Sequence, residues 1–208
     1  MPVDKAPVTN SITIVTTDAE KKEFIRFPYH HYQDEPYWVP PLMMEQKKLL
    51  NPKKNPFFNN ADIALFLAEH NGKPAGRIAA IIDHRYNQYH NEKTGFFGFF
   101  DVIDNQGTAD LLFRIAEEWL RDRGMTEVLG PANPGMMDEI GILVDGFEKY
   151  PSILMPYHKR YYDKVLKKAG YEKAMDLFTY LVTQDSVDRE RANRAVEIVK
   201  RRLPDIHI

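Results

Sequence analysis

The stretch from Asp62 to Gly124, DIALFLAEHNGKPAGRIAAIIDHRYNQYHNEKTGFFGFFDVIDNQGTADLLFRIAEEWLRDRG, predicts three strands followed by one amphipathic helix. Asn71 and Gly72, between the first two apolar runs, are typical of a tight β-hairpin turn. A polar segment, His84–Lys93, is predicted to be a loop before the third strand, Thr94–Ile103. The helix that follows carries apolar residues at helical spacing, and glycine after two arginines predicts where it ends.

The composition indicates a globular protein. The 208 residues are 43% hydrophobic, carry a formal net charge of -2 and include no cysteine. The lack of cysteine excludes disulfides, thiol catalysis and thiolate metal sites. The near-neutral charge, without a long basic run, argues against nucleic acid or an anionic membrane as a partner. Because no apolar stretch approaches the ~20 residues that a membrane span needs, we expect a cytoplasmic protein.

Further elements are predicted on both sides of this stretch. In chain order they are a strand at Ile12–Thr16, a helix from Ala19 to about Tyr32, a short helix at Leu42–Leu50, a strand at Thr126–Leu129, a long connection at Ala132–Pro156, a helix at Tyr157–Ala169, a long strand at Tyr171–Thr183 and a helix at Val187–Leu203 capped by Ser186. Pro28 predicts a kink or an early end of the first helix. The proline-rich, aromatic segment Asp34–Phe58 is either a protein-binding motif or a rigid connector whose rings pack on the core.

These elements predict three parts of the chain. Residues 1–11 form a flexible tail, residues 12–185 form one folded domain, and residues 186–208 form a C-terminal helix. The last residues, Asp205–Ile208, are either a solvated tail or the first residues of a further strand that is cut short.

The predicted order of elements resembles the GNAT superfamily of acyl-CoA-dependent acetyltransferases. The turn Gly107-Thr108-Ala109 is similar to the end of that family's pyrophosphate-binding signature, and YYDKVLKKAGY (Tyr161–Tyr171) is similar to its closing pattern. More narrowly, four stretches resemble an uncharacterised bacterial family of GNAT-like proteins: FPYHHYQDEPYWVPPL (Phe27–Leu42), NPFFNNADIALFLAE (Asn55–Glu69), GFFGFFDV (Gly95–Val102) and GPANPGMMDEIGILVDGF (Gly130–Phe147).

The resemblance implies an α+β fold with a mixed, mostly antiparallel central sheet of about six to seven strands, flanked by helices. It implies acyl-CoA-dependent N-acyltransferase activity on a small-molecule or peptidic amine. In the narrower family the chain continues into a second GNAT-like half, which becomes an expected partner. The alternative is a degenerate, non-catalytic GNAT-like domain with a structural or partner-binding role, because fold alone does not fix function.

The resemblance also implies where acetyl-CoA, or another acyl-CoA, would bind. The expected residues lie at the end of the third strand and the start of the helix: Val102, Ile103, Gln106, Gly107, Thr108 and Ala109. Asp104 stands where the family signature has Arg or Gln. A carboxylate near a phosphate opposes the ~0.3–1 kcal/mol that a helix N-terminus offers an anion. Asp and Asn are also good helix caps with no ligand present, so the turn has a purely structural reading as well.

Acyl transfer to an amine needs a base for the amine and a proton donor for the leaving thiolate. The family position of the donor tyrosine falls on Leu166, so Tyr162, one turn earlier, is either its substitute or a packed core tyrosine. Glu139 is the candidate base, with Asp138 beside it; the alternative for both is a solvated surface carboxylate. Asn133, Asp138 and Tyr157 are candidate substrate-binding residues. The spacing of the histidines matches no metal motif, and no metal site is expected.

Overall fold

A computed structural model describes residues 9–183 and 188–202 of the chain. It divides the chain into two compact units, Met1–Ala174 and Met175–Ile208. The first unit contains the strands β1 (Asn10–Ile14), β2 (Ala61–His70), β3 (Lys73–Asp83), β4 (Thr94–Val102), β5 (Glu127–Leu129), β6 (Ala132–Asn133) and β7 (Glu139–Ile140), and the helices α1 (Asp18–His31), α2 (Met43–Leu49), α3 (His84–His90), α4 (Gln106–Arg121) and α5 (Tyr162–Lys168), with a 3-10 turn at Pro56–Asn59. The second contains α6 (Arg189–Arg202).

The central sheet has five strands in the order β1-β2-β3-β4-β5. Neighbouring strands are antiparallel except β4 and β5, which are parallel. Strands β6 and β7 form a separate antiparallel pair. The predicted α+β class with a mixed sheet is confirmed, although the expected six to seven strands are divided between a five-stranded sheet and this small hairpin.

The opening stretch folds as predicted for its three strands and its helix. The β2–β3 turn places Asn71 and Gly72 at φ 52° and 73°, the left-handed region that Asn and Gly tolerate best. The side chain of Asn105 accepts a hydrogen bond from the Thr108 amide and so caps α4. The apolar stripe of α4 buries Ala109, Leu112, Phe113, Ala116 and Leu120 against one face of the sheet.

Four local predictions are wrong. His84–His90 is a helix, because Asp83 caps the amides of Arg85 and Tyr86. Pro28 lies inside α1, so an early end of that helix is wrong. The helix expected from Tyr157 begins only at Tyr162. The expected strand Tyr171–Thr183 forms no regular secondary structure. The predicted Ser186 cap and the terminal Asp205–Ile208 lie outside the described residues.

Strand β4 leaves its neighbour β5 part-way along its length. The parallel pairing runs only from Thr94 to Phe96, although β4 continues to Val102. On the other side, the β3–β4 register shifts where Arg77 pairs with Asp101 but Ala79 pairs with Gly98, so β4 carries one extra residue. Phe99 lies in this bulge at φ 48°. Such bulges re-aim a strand and free a backbone amide from the ladder, and this one shapes the site described next.

Candidate functional site

The loop after β5 fills the gap beside β4 and brings two predicted site residues together. Gly98 allows close approach, since a Cβ added there would lie 1.7 Å from the Ala132 carbonyl oxygen. The amide of Phe99, freed by the bulge, donates to Asn133 Oδ1 at 2.5 Å. Asn133 Nδ2 in turn donates to Glu139 Oε2 at 2.9 Å. Asn133 therefore links the bulged strand to the carboxylate of Glu139.

A cavity of about 280 Å³ opens at this point in the first unit. Its polar wall contains Arg77, Asp101, Asn133, Asp138, Glu139 and His158. Its apolar wall includes Trp38, Val39, Phe99, Phe100, Leu154 and Met155. The combination of a few convergent polar groups with apolar walls is typical of a small-molecule site.

Glu139 is the carboxylate in this wall whose proton affinity is raised. Burial raises the pKa of Glu139, and the hydrogen bond from Asn133 only partly opposes that rise. A carboxyl group with a raised pKa beside a cavity is a candidate for proton exchange with a ligand.

Arg77 and Asp101 form a buried ion pair on the adjacent strands β3 and β4. Arg77 Nε lies 2.8 Å from Asp101 Oδ2, and each side chain is only 8% exposed. Arg77 also donates to the Phe24 carbonyl at 2.9 Å, while the Tyr32 hydroxyl donates to Asp101 Oδ1 at 2.7 Å. Burial alone would raise the pKa of Asp101, but Arg77 and the other partners outweigh it and the pKa falls below its usual value. Asp101 is therefore deprotonated, and the positive charge of Arg77 balances its negative charge.

His158 lies in the same wall and is buried. The backbone amide of Leu143 donates to His158 Nδ1 at 3.2 Å. Burial lowers the pKa of His158 to about 4, so the ring is neutral at pH 7. Since Nδ1 accepts a hydrogen bond, the proton of the neutral ring lies on Nε2.

Tyr162, the predicted proton donor, lies in the core rather than in the cavity wall. The residue is 0% exposed. Its hydroxyl accepts from the Val102 amide at 3.1 Å and lies 3.0 Å from the Tyr32 hydroxyl and 3.1 Å from His31 Nε2. Burial, followed by the charge of Asp101, raises its pKa well above the ordinary value. This hydroxyl is held by neighbours within the chain.

Several of the residues expected to bind acyl-CoA make hydrogen bonds within the chain. The Val102 amide donates to the Tyr162 hydroxyl, and the Val102 carbonyl accepts from the Tyr161 hydroxyl at 2.6 Å.

At the start of α4, the Thr108 amide donates to the side chain of Asn105. The side chain of Gln106 donates to Asp110 and to the Val165 carbonyl. The Ile103 amide donates to the Ala75 carbonyl oxygen on β3. Gly107 and Ala109 lie in the first turn of α4, beside the acidic Asp104. Binding of acyl-CoA by these residues stays a prediction, in which the groups named above would have to exchange their present partners for the ligand.

The structure thus gathers four predicted residues and separates the others from them. Asn133, Asp138, Glu139 and Tyr157 all line the cavity, and the Tyr157 hydroxyl donates to Glu35 at 2.9 Å. Tyr162 and the six expected cofactor residues do not line it.

Sequence reasoning missed Arg77, Asp101 and His158. A signal existed for the first two, because each is a charged residue within an apolar run of its strand and the two strands are neighbours. His158, in contrast, falls in the predicted helix Tyr157–Ala169, which in the structure begins only at Tyr162.

Among the described residues, no group of three or more His, Cys, Asp or Glu side chains could hold a metal ion. None of the helices described, within 9–183 and 188–202, is long and apolar enough to cross a membrane.

Comparison with solved structures gives the fold its name. A tandem GNAT protein from the clavulanic acid biosynthesis pathway superposes with a TM-score of 0.51 at 12% identity, over 78% of this chain and 43% of that chain. The chain has the GNAT acetyltransferase fold. At this level of identity the likeness shows the GNAT fold alone.

Two curated relatives of this GNAT chain are much more similar in sequence. One, named bacterial ceramide synthase, from Caulobacter vibrioides, is 40% identical over 205 residues, which are 98% of this chain and 53% of the relative. The other, protein YghO from Escherichia coli, is 35% identical over 159 residues, which are 76% of this chain and 40% of that protein. The chain therefore spans about half the length of the relatives it matches. No family model matches it.

Proposed function

We propose that the chain is the acceptor-binding part of an acyl-CoA-dependent N-acyltransferase. The observation that carries the proposal is the half-buried Glu139, held by Asn133 at the wall of a cavity beside β4 in a GNAT fold. The name of the Caulobacter relative supports an amine acceptor, since a ceramide contains an amide formed on a long-chain amine. The apolar wall, with the exposed Val39 and Leu154 among its residues, suits an amine that carries an alkyl chain.

Glu139 acts in this proposal as the general base. An amine reaches the site as its ammonium form, and only the neutral amine is nucleophilic. The Glu139 carboxylate takes one proton from the ammonium group, with Asn133 holding its other oxygen in place. Acyl-CoA, when bound, would supply an activated acyl group: its C–S bond would break as the amide C–N bond forms, and CoA would leave as the thiol with the second proton of the attacking nitrogen. Tyr162 is left out of proton transfer, because its hydroxyl is fully buried and engaged.

A second candidate is a non-catalytic GNAT-like unit that supports or binds a partner, such as a second GNAT-like half. The second candidate is favoured by Val102, because its amide and carbonyl groups are already hydrogen-bonded within the chain. An acyl-CoA arm that paired with β4 there would displace the hydroxyls of Tyr161 and Tyr162. Each such hydrogen bond contributes about 0.5–1.5 kcal/mol, so the displacement opposes binding by about 1–3 kcal/mol. In this candidate the chain would not hold acyl-CoA by itself.

The test combines acyl transfer with binding. The full chain is assayed with acetyl-CoA and with palmitoyl-CoA, against dodecylamine and a short amine as acceptors. We expect transfer to dodecylamine, and a loss of about 10²–10⁴-fold in kcat/KM for Glu139→Gln. Glu118→Gln is the matched control, since Glu118 is an exposed carboxylate on α4.

Two results would overturn the catalytic proposal. One is full activity in Glu139→Gln. The other is a chain that neither transfers the acyl group nor binds either acyl-CoA by calorimetry at millimolar ligand. The latter result supports the second candidate.

A further inference from the structure

The polar wall of the cavity contains a hydrogen-bond donor with a fixed direction. His158 is 6% exposed, and its ring packs against the ring of Tyr162 at a centroid distance of 4.9 Å. The Leu143 amide occupies Nδ1 and leaves the proton of the neutral ring on Nε2. Within the described part of the chain, the one hydrogen bond that His158 makes is this one to Leu143. Packing and a backbone contact together therefore fix where the N–H group lies.

His158 cannot be the base of the proposed reaction. A neutral imidazole accepts a proton only at its unprotonated nitrogen, and the Leu143 amide already occupies that lone pair. The ring can only donate. Glu139, in the same cavity, has the opposite character, because a carboxylate only accepts until it is protonated.

The cavity therefore presents complementary groups to a ligand that carries an amine nitrogen and a carbonyl oxygen. The Glu139 carboxylate accepts from the nitrogen of such a ligand, and the neutral Nε2–H of His158 donates to its oxygen. In the tetrahedral intermediate of acyl transfer to an amine, and in the amide that results, this nitrogen and this oxygen are bonded to the same carbon. Donors directed at a carbonyl oxygen stabilise the negative charge that develops on it during acyl transfer.

We propose that His158 binds the acyl carbonyl oxygen: its Nε2–H donates to that oxygen in the tetrahedral transition state and in the amide product. This inference rests on the proposed function, since it assigns a further residue to the same site. Its test measures the binding of product-like molecules and does not depend on turnover.

Two substitutions separate donation to the ligand from support of the fold. In His158→Asn the amide oxygen replaces Nδ1 as acceptor for Leu143, but the distal donor is lost. In His158→Gln the side-chain NH₂ replaces Nε2–H as the distal donor, but the acceptor for Leu143 is lost. If His158 only supports the fold, Asn should retain more of the affinity for the amide than Gln. If His158 donates to the ligand, Gln should retain more of that affinity than Asn.

The probes are N-dodecylacetamide, which has the carbonyl oxygen, and dodecylamine, which lacks it. Calorimetry with the full chain should show that His158→Asn binds the amide about 5–10-fold more weakly than the parent, as expected for one lost hydrogen bond. The same variant should bind dodecylamine within about twofold of the parent, since this probe has no oxygen to receive the bond. His158→Gln should recover most of the amide affinity. Thermal unfolding of each variant reports how much of the fold is retained.

The outcomes distinguish this inference from the proposed function. Parent-like amide binding by His158→Asn, equal losses for both probes, or no amide binding by the parent chain would each refute the role of His158. A parent chain that binds the amide through His158 but neither transfers an acyl group nor binds acyl-CoA would leave the donor in place and refute the catalytic proposal alone.

Discussion

Val102 shows how two side chains can close a strand edge. The amide and carbonyl groups of this one residue are both bonded to tyrosine hydroxyls from the segment that starts α5. Burial, followed by the charges of Asp104 and Asp101, raises the pKa of Tyr161, so its hydroxyl stays protonated and remains a donor. The edge that separates from β5 is thereby satisfied without a ligand.

At the same scale, the Arg77–Asp101 pair sits between the sheet and α1. Arg77 is 6% exposed and lies over the ring of Phe24 at 5.0 Å. A buried pair adds modestly to stability while intact, but loss of one partner leaves an uncompensated charge in a poorly solvated place.

We predict that Asp101→Asn lowers the free energy of unfolding by about 3–5 kcal/mol, because it leaves Arg77 buried and unpaired. The matched control is Asp163→Asn, which breaks an exposed pair with Lys167 at 2.7 Å and should cost no more than about 1 kcal/mol. Urea denaturation of the three proteins gives the comparison. Equal effects of the two substitutions would contradict this account of the pair.

The element that positions the site is β4 together with the loop that crosses it. Because β4 leaves β5 after Phe96, Gly130–Asn133 can pack directly on the strand. The bulge at Phe99 then supplies the amide that holds Asn133. The geometry of the cavity wall is therefore set by backbone contacts, which depend on the absence of a side chain at one position.

Gly98→Ala should destabilise the protein by about 1–3 kcal/mol, the usual cost of overpacking, since its methyl group would meet the Ala132 carbonyl. It should also weaken binding of an amine ligand, because the displaced loop carries Asn133. Gly107→Ala is the control: the added Cβ would have its nearest contacts at 3.5 Å. That change lies in α4 and should be neutral or slightly stabilising. Thermal unfolding and dodecylamine titration measure both effects, and a stable, ligand-binding Gly98→Ala variant would refute the argument.

At the scale of the whole molecule, buried histidines connect stability to pH. Burial lowers the pKa of both His31 and His158 to about 4, while an unfolded chain has the ordinary value near 6.5. Between these values the unfolded state binds more protons than the folded state, so lowering the pH favours unfolding. The raised pKa of Glu139 acts in the opposite direction and offsets part of this loss.

We therefore predict that the free energy of unfolding falls as the pH is lowered from about 6.5 to about 4, by up to about 1.4 kcal/mol per pH unit for each histidine. Urea denaturation at pH 7, 6 and 5 checks the slope, and His158→Asn should reduce it. A constant free energy of unfolding across this range would contradict the assignment of His31 and His158 as neutral in the folded state.

The amino-acid sequence by itself determined the elements whose signals are local. The hairpin of β2 and β3, the strand β4 and the amphipathic α4 follow from apolar periodicity, turn residues and caps within short windows. The sequence also predicts candidate site residues in the long connection after β5, and the structure places Asn133, Asp138 and Glu139 in the cavity wall with Tyr157. The absence of cysteine also fixed, from the sequence alone, which chemistries are excluded.

Only the tertiary structure decided which groups meet. Tyr162 and His31 are 131 positions apart in the chain, and Tyr161 and Val102 are 59 apart, so no local pattern could pair them. The apolar segment Tyr171–Thr183 predicts a strand, yet a strand forms only where a neighbour completes its hydrogen bonds, and this segment joins no ladder in the described structure. Local sequence fixes how each segment can fold; contacts across the sheet fix which side chains are buried, engaged or open to a ligand.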